Sequence, residues 1–247
     1  RFALDACRVM ASQGHCSTIL TADSTDSPAH WLEDAGCRGD GTPTVSRLGA
    51  LMRPGQFIGL SGVGAAEDAR YHWLRFKWEE EQYIIASGLD YTIFRPSWVY
   101  GSRDVALNRF LGFARFLPFV PVVGNGKARI NPLFVGDLAA YIAAAIGNPA
   151  AKDGLFEIGG PDILTMDEII RTALRVAGKR RLLLHGPKPV MKLAASVIQF
   201  APGRPLTPDA VEFITMDGIA DTSALTATFG IPLTPLAQGL ERYLRES

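Results

Sequence analysis

The chain has 247 residues, 47% of them hydrophobic, and its 25 basic side chains are matched by 25 acidic ones. That length suits one large domain, or a domain with a small lobe, with enough apolar content for a core. Zero net charge supplies no overall cationic field, so a nucleic acid is not an expected partner. The one dense basic run, Lys179-Arg180-Arg181, reads as a solvated helix end.

Residues 1–56 carry scattered aliphatic side chains and frequent Gly, Ser, Thr and Asp, with no run that suggests a buried strand. A short helix over 2–11, stopped by Gly14, is the one local expectation there. Cys7, Cys16 and Cys37 all fall in this segment. An odd count without paired spacing argues against a disulfide framework or a zinc site, and His15 and His30 complete no ligand template, so no metal is expected. A chain that opens at Arg1 with no signal-peptide pattern reads as a fragment, and a cytoplasmic location is the default.

The pattern changes at Phe57. FIGLSGVGAA (57–66) is a short apolar run ending in small residues, as a buried parallel strand leading into a loop would read. Residues 67–87 alternate apolar and charged side chains at helical spacing and are closed by Gly88. LDYTIFRPSWVYG (89–101) then gives a second strand stopped at Pro96. Strand, helix, strand in this order is a crossover unit and implies parallel pairing. A helix follows over 104–117. The Gly124-Asn125-Gly126 turn leads to a short strand and a helix from about Asp137 to Ile146, with Asp137 expected as its N-cap. Residues 155–178 read as strand, turn and helix, with Thr165 and Glu168 forming a capping box. Two or three helices are expected beyond 187, including 207–217 and 233–246. No stretch reaches the roughly 18–20 apolar residues of a membrane span. The best candidate, 190–201, is interrupted by Lys192 and Gln199 and reads as a packed helix, with a membrane-surface contact as the alternative.

Five motifs stand in order: LSGVGA, K-x-x-x-E from Lys77 to Glu81, SGLDYTIFRPSWVYG, INPLFVGDLA and FEIGGPDILTMDEI. Together with the closing LTPDAVEFITMDGIADTSALTATFGI (206–231), they resemble the back two-thirds of an atypical, NmrA-like short-chain dehydrogenase/reductase of the NAD-dependent epimerase/dehydratase type. They are most similar to the group around the NAD(P)H-binding accessory subunit of respiratory complex I and its bacterial relatives. The resemblance covers about 57–247. It implies an α/β fold with a Rossmann-like parallel sheet whose N-terminal half is incomplete or degenerate, plus a small helical C-terminal lobe. The implied division is an unassigned segment 1–56, the C-terminal half of an NAD(P)-binding domain at 57–160, and a substrate-covering lobe at 161–247.

By the same resemblance Ser61 matches the active-site serine, although a serine closing a strand-to-loop turn fits equally. Lys77 matches the lysine that holds the nicotinamide ribose, while an exposed lysine paired with Glu81 one turn on is the alternative. The backbone of Pro96, Ser97 and Trp98 would pass the nicotinamide ring, or Pro96 simply ends a strand. Asn131, Pro132 and Asp137 match the stretch lining the substrate cleft. Gly159-Gly160-Pro161 reads as a turn and Tyr100-Gly101 as packing.

Two departures from the pattern bear on function. The family's catalytic tyrosine lies four residues before the lysine, on the same helix face. Here that position is Trp73, which has no ionisable proton for hydride chemistry. Tyr71 lies six residues before Lys77 and could substitute only if the helix started late with irregular backbone. In addition, no Gly-rich phosphate loop occurs in residues 1–56, and the 36–41 glycines follow no strand. Fifty-six residues cannot hold the three strand–helix units that precede this point in the resembling proteins, so the front half is expected to be absent, degenerate or misrepresented.

The functional expectation is a protein binding NADP or NAD with weak or no hydride transfer, acting if at all on a small carbonyl or sugar-like substrate. The alternatives are a non-enzymatic assembly or sensor protein, with peripheral association at a respiratory membrane, and a chain that binds no nucleotide.

Overall fold

The computed structural model describes residues 56–198 and 208–245. The expected helix over 2–11, the three cysteines, His15, His30 and the 36–41 loop lie outside the described residues. In chain order the elements are β1 (Gln56–Leu60), α1 (His72–Ala86), β2 (Asp90–Pro96), α2 (Val105–Phe116), β3 (Phe119–Val123), β4 (Arg129–Ile130), α3 (Val135–Ala145), β5 (Gly154–Ile158), β6 (Leu164–Thr165), α4 (Met166–Val176), β7 (Leu182–Gly186), α5 (Lys188–Ile198), α6 (Pro208–Ile214), α7 (Ser223–Phe229) and α8 (Leu236–Arg245). They form two compact units that interleave along the chain. Of the described residues, one unit comprises 56–99, 135–159 and 220–233, and the other comprises 100–134, 160–198, 208–219 and 234–245. Among the described residues no helix is long and apolar enough to cross a membrane.

In the first unit β1, β2 and β5 make a sheet in that order, every pair parallel. The expected crossover is present: α1 returns the chain from the end of β1 to the start of β2, the connection that parallel neighbours need. Ile58, Ile93, Phe94 and Ile158 are buried, which is why these strands read as apolar runs rather than alternating ones. The aromatic core is closed by Phe229 of α7, whose ring centroid lies 5.3 Å from Phe156, 5.5 Å from Tyr141 and 6.2 Å from Phe94. Gln56 ties the start of β1 to the end of α3. Its amide donates to the Ala145 carbonyl at 3.0 Å and accepts from the Gly147 N–H at 2.8 Å.

Helix α1 starts at His72, later than the 67–87 expectation. The Arg75 guanidinium donates to the carbonyls of Ala69 and Arg70 at 2.7 and 3.4 Å, which holds the preceding residues in a turn. Tyr71 is extended, with φ −100° and ψ 134°. At the other end Gly88 takes φ +74°, a left-handed conformation that glycine adopts without strain, and the helix stops there.

The helix is fastened to the sheet by an ion pair. Arg95 Nε and Nη2 donate to Glu81 Oε1 and Oε2 at 2.8 and 2.6 Å, with the glutamate side chain 1% and the arginine 18% exposed. The two parallel bonds hold the Arg95 guanidinium above its ordinary pKa, the hydrogen bond to Glu81 being the main cause.

In the second unit β3 and β7 pair in parallel, and β4 and β6 pair antiparallel. Leu107, Val120, Val122, Ile169, Ile170 and Leu240 are fully buried here. The capping box read in the sequence is formed: Thr165 Oγ accepts from the Glu168 N–H at 3.3 Å, and Glu168 accepts from the Thr165 N–H at 2.8 Å. The Gly160 N–H donates to the Asn131 carbonyl at 3.0 Å. A Cβ on Gly160 would lie 2.1 Å from the Pro132 carbonyl oxygen, so this glycine, read in the sequence as part of a turn, is required by close backbone approach.

Three details differ from the sequence reading. Strand β7 was not expected; its apolar run is only Leu182-Leu183-Leu184 and follows directly on the basic cluster. Among the described residues four helices rather than two or three follow residue 187, the addition being α7. Asp137 is not the N-cap of α3: the helix begins at Val135 and places Asp137, buried, inside its first turn, where a carboxylate still faces the positive end of the helix dipole.

Two glycine substitutions should separate close approach from flexibility. Gly160→Ala drives a Cβ into backbone and should lower stability in urea unfolding by about 1–3 kcal/mol. Gly112→Ala, in α2 with nothing within 4 Å of the new Cβ, should raise it by about 0.5–1 kcal/mol. Equal effects would contradict the packing described.

Candidate functional site

The carboxyl ends of parallel strands border the ligand crevice of a doubly wound sheet, because the loops there diverge. In the first unit that edge is formed by the ends of β1, β2 and β5. Beyond Leu60 the chain does not leave the sheet at once. The Ser61 N–H donates to the Phe94 carbonyl at 2.8 Å and the Val63 N–H to the Pro96 carbonyl at 3.2 Å. Ser61, Gly62 and Val63 therefore run beside Arg95, Pro96 and Ser97. The small residues suit the space: a Cβ on Gly62 or Gly64 would touch only the Leu74 side chain beneath, at 3.9 and 3.5 Å, and Gly64 takes φ +84°.

Ser61 Oγ is buried and has no hydrogen-bond partner among the described residues. A buried hydroxyl without a partner forfeits its hydration, a cost of about 1–3 kcal/mol that native structures seldom leave uncompensated. It is the one observation at this edge that points directly to a missing polar partner.

Lys77 reaches the same edge from α1. Its Nζ donates to the Leu60 carbonyl at 3.2 Å and pairs with Glu80 at 2.8 Å, and the side chain is 22% exposed. The alternative reading, an exposed pair with Glu81, is corrected on both counts. Lys77 pairs one residue earlier, at i+3, and Glu81 is the buried partner of Arg95. Arg95 is thus held by Glu81 rather than presented to a ligand.

Pro96 ends β2 in register with Ile158, and the Ser97 N–H donates to the Ile158 carbonyl at 2.9 Å. The Trp98 side chain is buried. Trp73 stacks on Tyr71, with ring centroids 4.5 Å apart and planes 13° from parallel. Both conditions under which Tyr71 could replace the missing tyrosine are therefore met. The helix starts late, the backbone at Tyr71 is extended, and its phenol lies one stacked ring away from the position that Trp73 fills.

The structure brings Ser61, Lys77, Pro96 and Ser97 to one strand edge of the first unit. Asn131 belongs to the second unit, where it is buried and accepts from Gly160. Asp137, in the first unit, lies near Tyr141, whose phenol is pushed to a higher pKa chiefly by burial and secondarily by that carboxylate. Sequence reasoning missed the Glu81–Arg95 pair. The signal was present as a charge at each of two positions facing the crossover, but only the fold shows that they meet. Among the described residues no cluster of His, Cys, Asp or Glu has the makings of a metal site.

No protein-family model matches the chain. It is 27% identical over 187 residues to NADH dehydrogenase (ubiquinone) 1 alpha subcomplex subunit 9, mitochondrial, of Arabidopsis thaliana, covering 72% of this chain and 46% of that protein. It is 25% identical over 234 residues to the NADH-ubiquinone oxidoreductase 40 kDa subunit, mitochondrial, of Neurospora crassa, covering 94% of this chain and 61% of the other. The chain thus spans about half the length of the curated relatives it matches. Among solved structures, UDP-glucuronic acid 4-epimerase from Bacillus cereus, in complex with UDP-glucuronic acid and NAD, superposes with a TM-score of 0.63 at 15% identity, covering 98% of this chain and 95% of that one. An NADPH-dependent quinone oxidoreductase from Escherichia coli, complexed with NADPH, gives 0.61 at 18% identity, covering 92% and 75%. The chain has the α/β, Rossmann-like parallel-stranded fold of these enzymes, and in sequence it resembles the atypical short-chain dehydrogenase/reductases, in the group around the complex I accessory subunit.

Proposed function

We propose that this chain binds NADP or NAD at the carboxyl edge of β1 and β2 and performs little or no hydride transfer. The observation that carries the reading is the unpartnered, buried Ser61 hydroxyl beside a lysine that already reaches the end of β1. The names of the relatives and the fold neighbours support a dinucleotide rather than another polar ligand.

In this reading Lys77 exchanges its bond to the Leu60 carbonyl for the ribose hydroxyls, and Ser61 gains the partner it lacks. The backbone from Pro96 to Trp98 gives the nicotinamide ring a flat, partly apolar border. A bound nicotinamide supplies or accepts a hydride. The matching proton has to come from the protein, and the indole at Trp73 has none to give near neutral pH. That indole favours the second reading, an assembly or sensing role in which the nucleotide is structural, whereas the enzymatic reading takes its proton from Tyr71, stacked on Trp73. A peripheral place at a respiratory membrane fits such a role, since two relatives carry the names of respiratory-enzyme subunits. A small carbonyl or sugar-like substrate belongs to the enzymatic reading. The third reading, no nucleotide binding, follows if no phosphate-binding loop is present.

Titration with NADPH and NADH, followed by nicotinamide fluorescence and thermal unfolding, tests the proposal. Binding should weaken at least about tenfold in Lys77→Met, the loss of one charge-assisted hydrogen bond, with the unfolding temperature of the free protein little changed. No oxidation of NADPH should occur with a panel of carbonyl compounds. Equal affinity of wild type and variant overturns the site, and turnover that Tyr71→Phe abolishes overturns the non-catalytic reading.

A further inference from the structure

The basic run Lys179-Arg180-Arg181 lies past the end of α4, and the fold brings it against two further cations. Arg171 and Arg175 stand one turn apart on α4 and share a face. The helix stops at Gly178, whose φ of +67° turns the chain back. The Lys179 N–H then donates to the Leu174 carbonyl at 2.8 Å and the Gly178 N–H to the Arg175 carbonyl at 3.0 Å, which holds the run beside the last turns of the helix. Arg171, Arg175, Lys179, Arg180 and Arg181 line a groove of about 640 Å³, completed by Gly178 and the buried Leu174. A Cβ on Gly178 would meet nothing within 4 Å, so the groove is open at that point.

The charge in this groove is uncompensated. No acidic residue occurs between Glu168 and Asp209, and none is in the lining. Arg171 pairs loosely with Asp167, at 3.6 Å, and that carboxylate also holds His185 at 2.9 Å. Arg181 donates to the carbonyls of Ala114 and Arg180 at 3.1 and 2.9 Å, which fixes its guanidinium without neutralising it. Arg175, Lys179 and Arg180 have no carboxylate partner among the described residues. Basic side chains at a helix end ordinarily take up the last carbonyls and complement the dipole. Here the carbonyls of Ala173, Leu174 and Arg175 already accept from backbone N–H groups. A dipole end worth about half a charge cannot offset the four cations Arg175, Lys179, Arg180 and Arg181.

The volume falls within the range of about 300–1,000 Å³ that small ligands occupy. Guanidinium forks bind phosphate oxygens two at a time. One phosphate group carries a charge of about −1.5 to −2 near neutral pH, so two are needed to match four cations. We infer that this groove binds a soluble anion bearing two or more phosphate groups. It has no apolar rim for a bilayer. Side chains alternate along β7, and Arg181 and His185 turn toward α2 and α4, so the exposed Leu182 and Leu184 point to the opposite face. The groove shares no residue with the Ser61–Lys77 edge and does not depend on nucleotide binding there.

Isothermal titration of the full chain with tripolyphosphate, pyrophosphate and inorganic phosphate at low ionic strength tests it. Tripolyphosphate should bind at least about tenfold more tightly than phosphate, and added salt should weaken it. Arg175→Gln with Arg180→Gln, both at exposed positions, should weaken tripolyphosphate by about tenfold or more, with unchanged thermal unfolding of the free chain. Lys179→Gln with Arg180→Gln should show the same loss and decides the matter if the first variant fails to fold. Lys77→Met should leave tripolyphosphate binding unchanged. Equal affinity for phosphate and tripolyphosphate overturns the inference, as does tripolyphosphate binding that the groove variants do not weaken. A loss in Lys77→Met as large as in the groove variants assigns the anion to the nucleotide edge instead. Recruitment to phosphatidylglycerol vesicles without tripolyphosphate binding overturns it in favour of a lipid headgroup.

Discussion

The Glu81–Arg95 ion pair is the constraint from which the candidate site follows. Taking two charges out of water is expensive, and only the paired, two-point geometry offsets the desolvation. Either partner alone would be an uncompensated charge against the sheet, so each fixes the other's position. Glu81 projects from α1 and Arg95 from β2, and their bonds at 2.6 and 2.8 Å set the rotation of the helix about its own axis. Lys77 is one helical turn before Glu81 and therefore shares its face. With Glu81 directed at the sheet, Lys77 meets the carbonyl end of β1.

The rest of the edge is arranged by backbone. Hydrogen bonds from Ser61 and Val63 to the carbonyls of Phe94 and Pro96 keep the loop after β1 beside β2. Within that ladder the Ser61 hydroxyl is buried without a hydrogen-bond partner among the described residues. Trp73 spends the next helical position on stacking with Tyr71. One turn before Lys77 the helix thus presents an indole, and the phenol beside it, Tyr71, precedes the helix and stacks on that indole.

The crossover from β1 through α1 to β2 was legible because buried parallel strands are apolar throughout and the helix between them is not. Thr165 and Glu168 announced their helix start for the same local reason: three residues' spacing is enough to close both bonds. Local patterning failed where tertiary contacts decide. The start of α1 depends on an arginine side chain capturing two carbonyls, and β7 has too short an apolar run to stand out beside three basic residues. Asp137 sits in the first turn of a helix whose first residues, Val135 and Gly136, carry no start signal. At the site, Lys77 and Ser61 were legible as residue types. The burial of the Ser61 hydroxyl and the pairing of Glu81 with Arg95 rather than Lys77 required the positions of two strands at once.

A double-mutant cycle on the 247-residue chain, using Glu81→Gln, Arg95→Met and the pair together, measures the interaction that aims Lys77. Each single change should cost about 3–5 kcal/mol by leaving the other charge buried alone, and the double variant should recover about 2 kcal/mol or more of their sum. A coupling within about 0.5 kcal/mol of zero would mean that the two side chains do not hold helix to sheet, and the orientation of Lys77 would lose its physical basis.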